Sequence, residues 1–121
     1  MKKIFSVILL AAVLIFIGGQ NNFAHAYNSI SFTNGTGRTI YYVYFVPIHY
    51  TSWGNDRLSG VWRSGDILTL DSSYWRYWAF QIVFEGGQTI YWNGDNPIDA
   101  QSVYRATIAP AGNGNYTLIY N

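Results

Sequence analysis

From Tyr27 to Asn121 no ten-residue window repeats apolar side chains at helical spacing. Runs of β-branched and aromatic residues recur instead, cut by glycine- and asparagine-rich turns roughly every 8–12 residues. The clearest run is 75–84, where Trp78, Phe80, Ile82 and Phe84 alternate with Tyr77, Ala79, Gln81 and Val83. A period of two is the signature of a strand with one buried face. Further strands are predicted over 29–33, 38–46, 66–70, 88–92, 103–109 and 116–120. On strict alternation, 38–46 places Ile40, Tyr42, Tyr44 and Val46 on one face and Tyr41, Val43 and Phe45 on the other. Asn34-Gly35-Thr36-Gly37 reads as a hairpin turn, because Asn and Gly accept positive φ. Two long irregular loops, 47–60 and 93–97, separate the strands, and a single helical turn fits near 55–59 or 98–102. The fold class is therefore all-β: a small antiparallel β-sandwich of six to seven strands, with a small β-barrel as the alternative.

The residues before Tyr27 follow a different logic. Lys2 and Lys3 precede an apolar run over 4–17, and Ala24-His25-Ala26 offers the small residues that a signal peptidase reads. Basic start, short apolar core and A-x-A site in that order predict a secretory signal over 1–26, of bacterial type. The run is shorter than the roughly 20 residues that span hydrocarbon. This predicts a single exported domain over 27–121, secreted or periplasmic, with no membrane span once the signal is removed. That domain has no cysteine, so packing rather than disulfides must hold it together. It carries five arginines (38, 57, 63, 76 and 105) against Asp56, Asp66, Asp71, Glu85, Asp95 and Asp99. The formal charge of +1 for the whole chain thus turns slightly negative without Lys2 and Lys3, which argues against a nucleic-acid partner.

Few routes to catalysis are open. His49 is the only histidine after the signal, so a zinc site of the usual kind lacks ligands, and a Ser-His-acid relay would have to use that one loop residue. Without Cys, and without Lys beyond the signal, thiolate and Schiff-base chemistry are excluded. Carboxylate pairs for glycoside cleavage depend on separations that a sequence does not give.

The long loops offer oxygen ligands. Asn93, Asp95 and Asp99 fall within seven residues, and Asp56 lies in the other loop. Calcium takes six to eight such oxygens from flexible loops. The same residue types are what tight turns demand, and Asp99 also suits an N-cap, so both readings stay open. Aromatic residues offer a second surface. All five Trp and all eleven Tyr lie at or after Tyr27. A two-layer sandwich buries only the inner face of each sheet, which leaves some of Tyr41, Trp75, Tyr77 and Tyr91 outside, with Trp53 and Trp92 in or beside the long loops. Sugars stack on such rings, although loops or cross-strand packing also cover them.

Asn34-Gly35-Thr36-Gly37, the loop Ser52-Trp53-Gly54-Asn55-Asp56-Arg57-Leu58 and Gly65 before the next strand together resemble a group of small exported bacterial β-domains. The resemblance covers about residues 29–70, and Phe84-Glu85-Gly86-Gly87 fits it loosely. Members are often automatically labelled argininosuccinate lyase; that enzyme is large and helical, so the label does not suit this chain. The resemblance implies fold and export and assigns no activity. Taken together, the sequence predicts a non-catalytic binding module for a glycan or cell-envelope component, assisted by calcium if the loop acids bind it. A protein–protein module (inhibitor, adhesin or toxin partner, or a homodimer) and a small glycoside hydrolase are the alternatives.

Overall fold

The computed structural model describes Tyr27 and residues 29–121. The signal read over 1–26 lies outside the described residues. Eight strands follow in order: β1 Ser29–Asn34, β2 Ile40–Pro47, β3 Ile67–Asp71, β4 Tyr77–Phe84, β5 Thr89–Trp92, β6 Ile98–Asp99, β7 Arg105–Gly112 and β8 Asn115–Tyr120. They form two sheets. One has the order β3-β1-β7-β8; the other has β2-β4-β5, with β6 also pairing β4. The pair is a β-sandwich and not a closed barrel. All seven expected strands are present and β6 is the eighth. Pairing is antiparallel except between β1 and β7, which run parallel.

The core follows from the alternation in β4. Trp78, Phe80, Ile82 and Phe84 are buried, as are Ile30, Phe32, Ile108 and Leu118 of the facing sheet. Rings stack across the gap, as Phe32 does on Phe80, and between neighbouring strands of the β2-β4-β5 sheet. Phe32 lies 4.4 Å from Phe80, Phe45 lies 4.3 Å from Trp78, and Phe80 lies 5.5 Å from Trp92. Each such pair adds about 0.5–1.5 kcal/mol beyond area burial, which is one way a chain without cysteine holds a sandwich together.

Two local expectations are corrected. In β2 the register moves from Ile40↔Phe84 to Tyr42↔Val83, so two residues oppose one. This bulge turns Ile40 inward with Val43 and Phe45 and leaves Tyr41 and Tyr42 both exposed. Strict alternation therefore fails at the start of the strand. The second correction concerns 34–37, which is not a hairpin: β1 pairs with β3 and β7, whereas β2 pairs with β4. The segment is a corner that carries the chain from one sheet to the other.

Asn34, fully buried, organises that corner. Its Nδ2 donates to the carbonyls of Arg38 (2.8 Å) and Trp62 (3.0 Å). Its Oδ1 accepts from the Thr36 N–H (3.0 Å) and the Thr36 hydroxyl (2.6 Å). Its backbone N–H donates to Asp66 O, and its carbonyl accepts from Gly65 N–H. Gly35 passes so close to β7 that a Cβ there would meet Ile108 O at 2.8 Å, and Gly37 needs its φ of +78°.

β2 is an edge strand, and the loop after it covers the open edge. Arg57 N–H donates to Val43 O, the Val43 N–H donates to Asp56 Oδ1, and Arg57 Nη1 donates to Phe45 O. Ile40 and Trp62 then exchange both backbone hydrogen bonds. Edges left bare invite pairing with other chains. No helix forms over 55–59. After β6, the Asp99 carbonyl accepts from the N–H groups of Ser102 and Val103, a single helix-like turn.

Asn34→Ala would leave the buried Thr36 N–H without its acceptor, remove one of the two donors from each of the Trp62 and Arg38 carbonyls, and cost about 3 kcal/mol. Gly35→Ala should destabilise too, because the obstructing atom belongs to backbone. Urea denaturation checks both; wild-type midpoints would show that the corner is not the keystone.

Candidate functional site

One end of the sandwich gathers aromatic loops. The chain leaving β2 and the chain entering β4 are joined where Ile48 N–H donates to Tyr77 O at 3.1 Å. His49 sits between them, its ring 5.0 Å from Tyr50 and 4.5 Å from Trp75. The indole N–H of Trp78 donates to Trp75 O, which fixes the Trp75 backbone from the core side. Three hollows adjoin along this surface. One of about 160 Å³ lies among Val46, Tyr50, Trp53, Ala79 and Asn93. The second, about 320 Å³, lies among Phe45, Tyr50, Arg57, Trp75 and Trp78. The third, about 420 Å³, lies among Tyr27, His49, Tyr74, Trp75, Arg76 and Tyr77.

The surface continues onto the outer face of the β2-β4-β5 sheet. Register places Tyr44, Gln81 and Tyr91 in one row across three strands. At a strand spacing of about 4.8 Å, the two tyrosines stand roughly 10 Å apart. Trp53, half-buried, lies 6.4 Å from Tyr91 and links the row to the hollows.

Of the rings expected outside, Tyr41, Trp75, Tyr77 and Tyr91 are exposed. Tyr41 sits at the bulge; the other three and Trp53 belong to the continuous surface. Trp92 is a correction. It is 5% exposed and stacks over Phe80, whereas its neighbour Tyr91 is 57% exposed. Adjacent strand residues point to opposite faces, and β5 holds its alternation to its last residue. Sequence reasoning passed over Tyr42, Tyr50 and Tyr74, all exposed. Tyr42 shares the outer face of β2 with Tyr44 once Val43 and Phe45 point inward, and the bulge is what exposes Tyr41; Tyr50 and Tyr74 lie in loops, where no periodicity marks orientation.

The acids do other work than expected. Asp56 Oδ1 accepts from the N–H groups of Val43 and Leu58, pinning the loop to the β2 edge. Asp99 takes Arg76 in a two-pronged pair, 2.9 Å on each oxygen, and also accepts from Gln101 N–H. Asn93 lines a hollow, and its carbonyl accepts from Asn96 N–H. Asp95 is exposed in the loop between β5 and β6. Among the described residues no three His, Cys, Asp or Glu side chains gather as a metal site. Asp56, Asp95 and Asp99 therefore do not gather into one cluster of carboxylates. The two loops do meet, through Trp53 and Asn93 rather than through carboxylates.

Two arginines face the hollows. Arg76 lies 4.9 Å over the Tyr77 ring, its charge met by Asp99. Arg57 is exposed as a residue, yet its guanidinium lies 5.9 Å over the Phe45 ring. Desolvation lowers its pKa, and Asp71 acts in the opposite sense.

The hydrogen bond from Arg76 holds the Asp99 carboxyl below its ordinary range. A depressed carboxylate contributes stability above the unfolded value near 4, and that contribution is lost as pH falls through the folded value. Asp99→Asn should therefore lower the melting midpoint slightly at pH 7, with the gap closing below about pH 4. A pH-independent gap would assign the loss to the cap on Gln101 instead. Calcium in excess should leave the wild-type midpoint where a chelator does. A ligand at 100 times its dissociation constant adds about 2.7 kcal/mol, and a rise of roughly ten degrees or more would restore the loop acids as ligands. Comparison with known proteins gives no match to a family model, a characterised protein or a solved structure.

Proposed function

We propose that this chain is an exported, non-catalytic binding module that recognises a glycan or another cell-envelope component. The supporting observation is the continuous ring surface that runs from Tyr44 and Tyr91 through Trp53, Tyr50 and His49 to Trp75 and Tyr77. Sugar rings present C–H faces that stack on aromatic rings, and hydroxyl edges that take amide and backbone partners such as those of Gln81 and Asn93. The hollows are shallow and placed side by side, which suits a chain-like ligand contacted at several points. Several large rings exposed side by side are the kind of surface that marks recognition sites.

The test is retention on a panel of insoluble polysaccharides and cell-wall preparations, with protein expressed from the full chain. Trp75→Ala and Tyr91→Ala should each weaken retention about tenfold, the equivalent of 1.4 kcal/mol. Indifference to every glycan and to both substitutions would end the proposal. A protein–protein role is the second reading, favoured by β8. Asn115–Tyr120 is an edge strand without a charged residue, and Ile119 and Tyr120 are exposed. Concentration-dependent elution in size exclusion, abolished by Ile119→Lys, would favour that reading.

A further inference from the structure

The ring surface carries two cations, and they differ in what they have left to bind. Arg76 gives Nε and Nη2 to the two oxygens of Asp99. Arg57 gives one side-chain hydrogen bond, from Nη1 to Phe45 O at 2.7 Å. A guanidinium has five N–H donors in a planar fork. Among the described residues the ion pair within 4 Å is Arg76–Asp99, and no carboxylate closes on Arg57. Asp71 acts on Arg57 electrostatically, while its own carboxylate is held by the Ser73 N–H and hydroxyl. Arg57 therefore brings a charge without a carboxylate hydrogen bond, and spare donors, to the wall of the second hollow, which the rings of Tyr50 and Trp75 also line.

We propose that this hollow is a subsite for a carboxylate-bearing sugar, of the uronic acid class. The ring of the sugar would stack on Trp75 or Tyr50, and its carboxylate would lie in the fork of Arg57. Guanidinium and carboxylate match in plane and spacing, which makes the pair directional as well as charged. The hydrogen bond to Phe45 O holds the guanidinium in place, so little side-chain freedom is lost on binding. The inference rests on the glycan reading above and narrows it to an acidic chain.

Immobilised polygalacturonate and its methyl ester separate the two, because esterification removes the charge and keeps the sugar. Wild-type protein should be retained at least tenfold more strongly by the acid form, and the preference should fall as salt rises from 50 to 500 mM. Arg57→Gln should erase the preference and leave weak retention by the ester; a melting curve checks that this variant folds. Poly-glutamate supplies carboxylates without rings and should be retained no better than the ester. Equal retention of acid and ester by wild-type protein would overturn the subsite while leaving glycan binding intact. Equal retention of poly-glutamate would overturn the sugar assignment. No retention by any polysaccharide, with no effect of the ring substitutions, would remove both the subsite and the broader reading.

Discussion

The side chain of Asn34 is the interaction on which the rest of this structure depends. One buried amide satisfies two carbonyls and two donors, and its backbone engages the turn before β3. A buried amide with every partner in place is strongly directional, and costly to leave half-paired. The consequences run outward. Holding Trp62 O fixes the end of the long loop, and Trp62 then pairs with Ile40 along the β2 edge. With that end fixed and Asp56 and Arg57 bound further along β2, the loop leaves the strand tip in one direction, toward Tyr50 and Trp53. The aromatic surface is thus a downstream product of a polar corner at the other end of the same loop.

Two populations of rings result. Those of Phe32, Phe45, Phe80, Trp78 and Trp92 stack in the core and replace the cross-links that a cysteine-free chain lacks. Those of Tyr44, Tyr50, Trp75, Tyr77 and Tyr91 lie on the outer sheet face or on loops, where they add little to the core. Outer rings bury less of their surface in the sandwich, so they are the ones the proposed recognition draws on.

The sequence reported the strands well because alternation is a local signal, as in β4. It reported less where the deciding partner is distant. Asn34-Gly35-Thr36-Gly37 has the chemistry of a hairpin turn, but the same backbone freedom serves a corner. The choice depends on Trp62 O and Ile108 O, which lie far along the chain. The β2 bulge escaped for a similar reason, since it is defined by the register against β4. Trp92 and Tyr91 were both offered as binding rings; strand parity assigns one to the core and one to the surface. Asp56 and Asp99 have the composition of calcium ligands, and only the fold reveals that Val43 N–H and Arg76 use their oxygens. The motif residues behind the family resemblance serve the framework: Asn34 and Thr36 build the corner, Asp56 and Arg57 seal an edge, and Gly65 hydrogen-bonds Asn34. Motifs of that kind report architecture, so they carry little information about what the ring surface meets.

The ring surface is also held before any ligand arrives. Ile48 N–H on Tyr77 O ties its two loops, the Trp78 indole holds Trp75 O, and the Asp99 clamp fixes Arg76 over Tyr77. Each restraint comes from a strand or a backbone group rather than from another mobile side chain. Binding then costs less ordering entropy, and a shallow surface can hold a ligand through several modest contacts. Loops that lacked these ties would have to be ordered by the ligand itself, at about 0.5–1.5 kcal/mol for each immobilised side chain. The same logic separates the two arginines: Arg76, paired with Asp99 through two hydrogen bonds, is part of the scaffold for Tyr77, whereas Arg57 is anchored by one side-chain bond and has donors left for the proposed subsite.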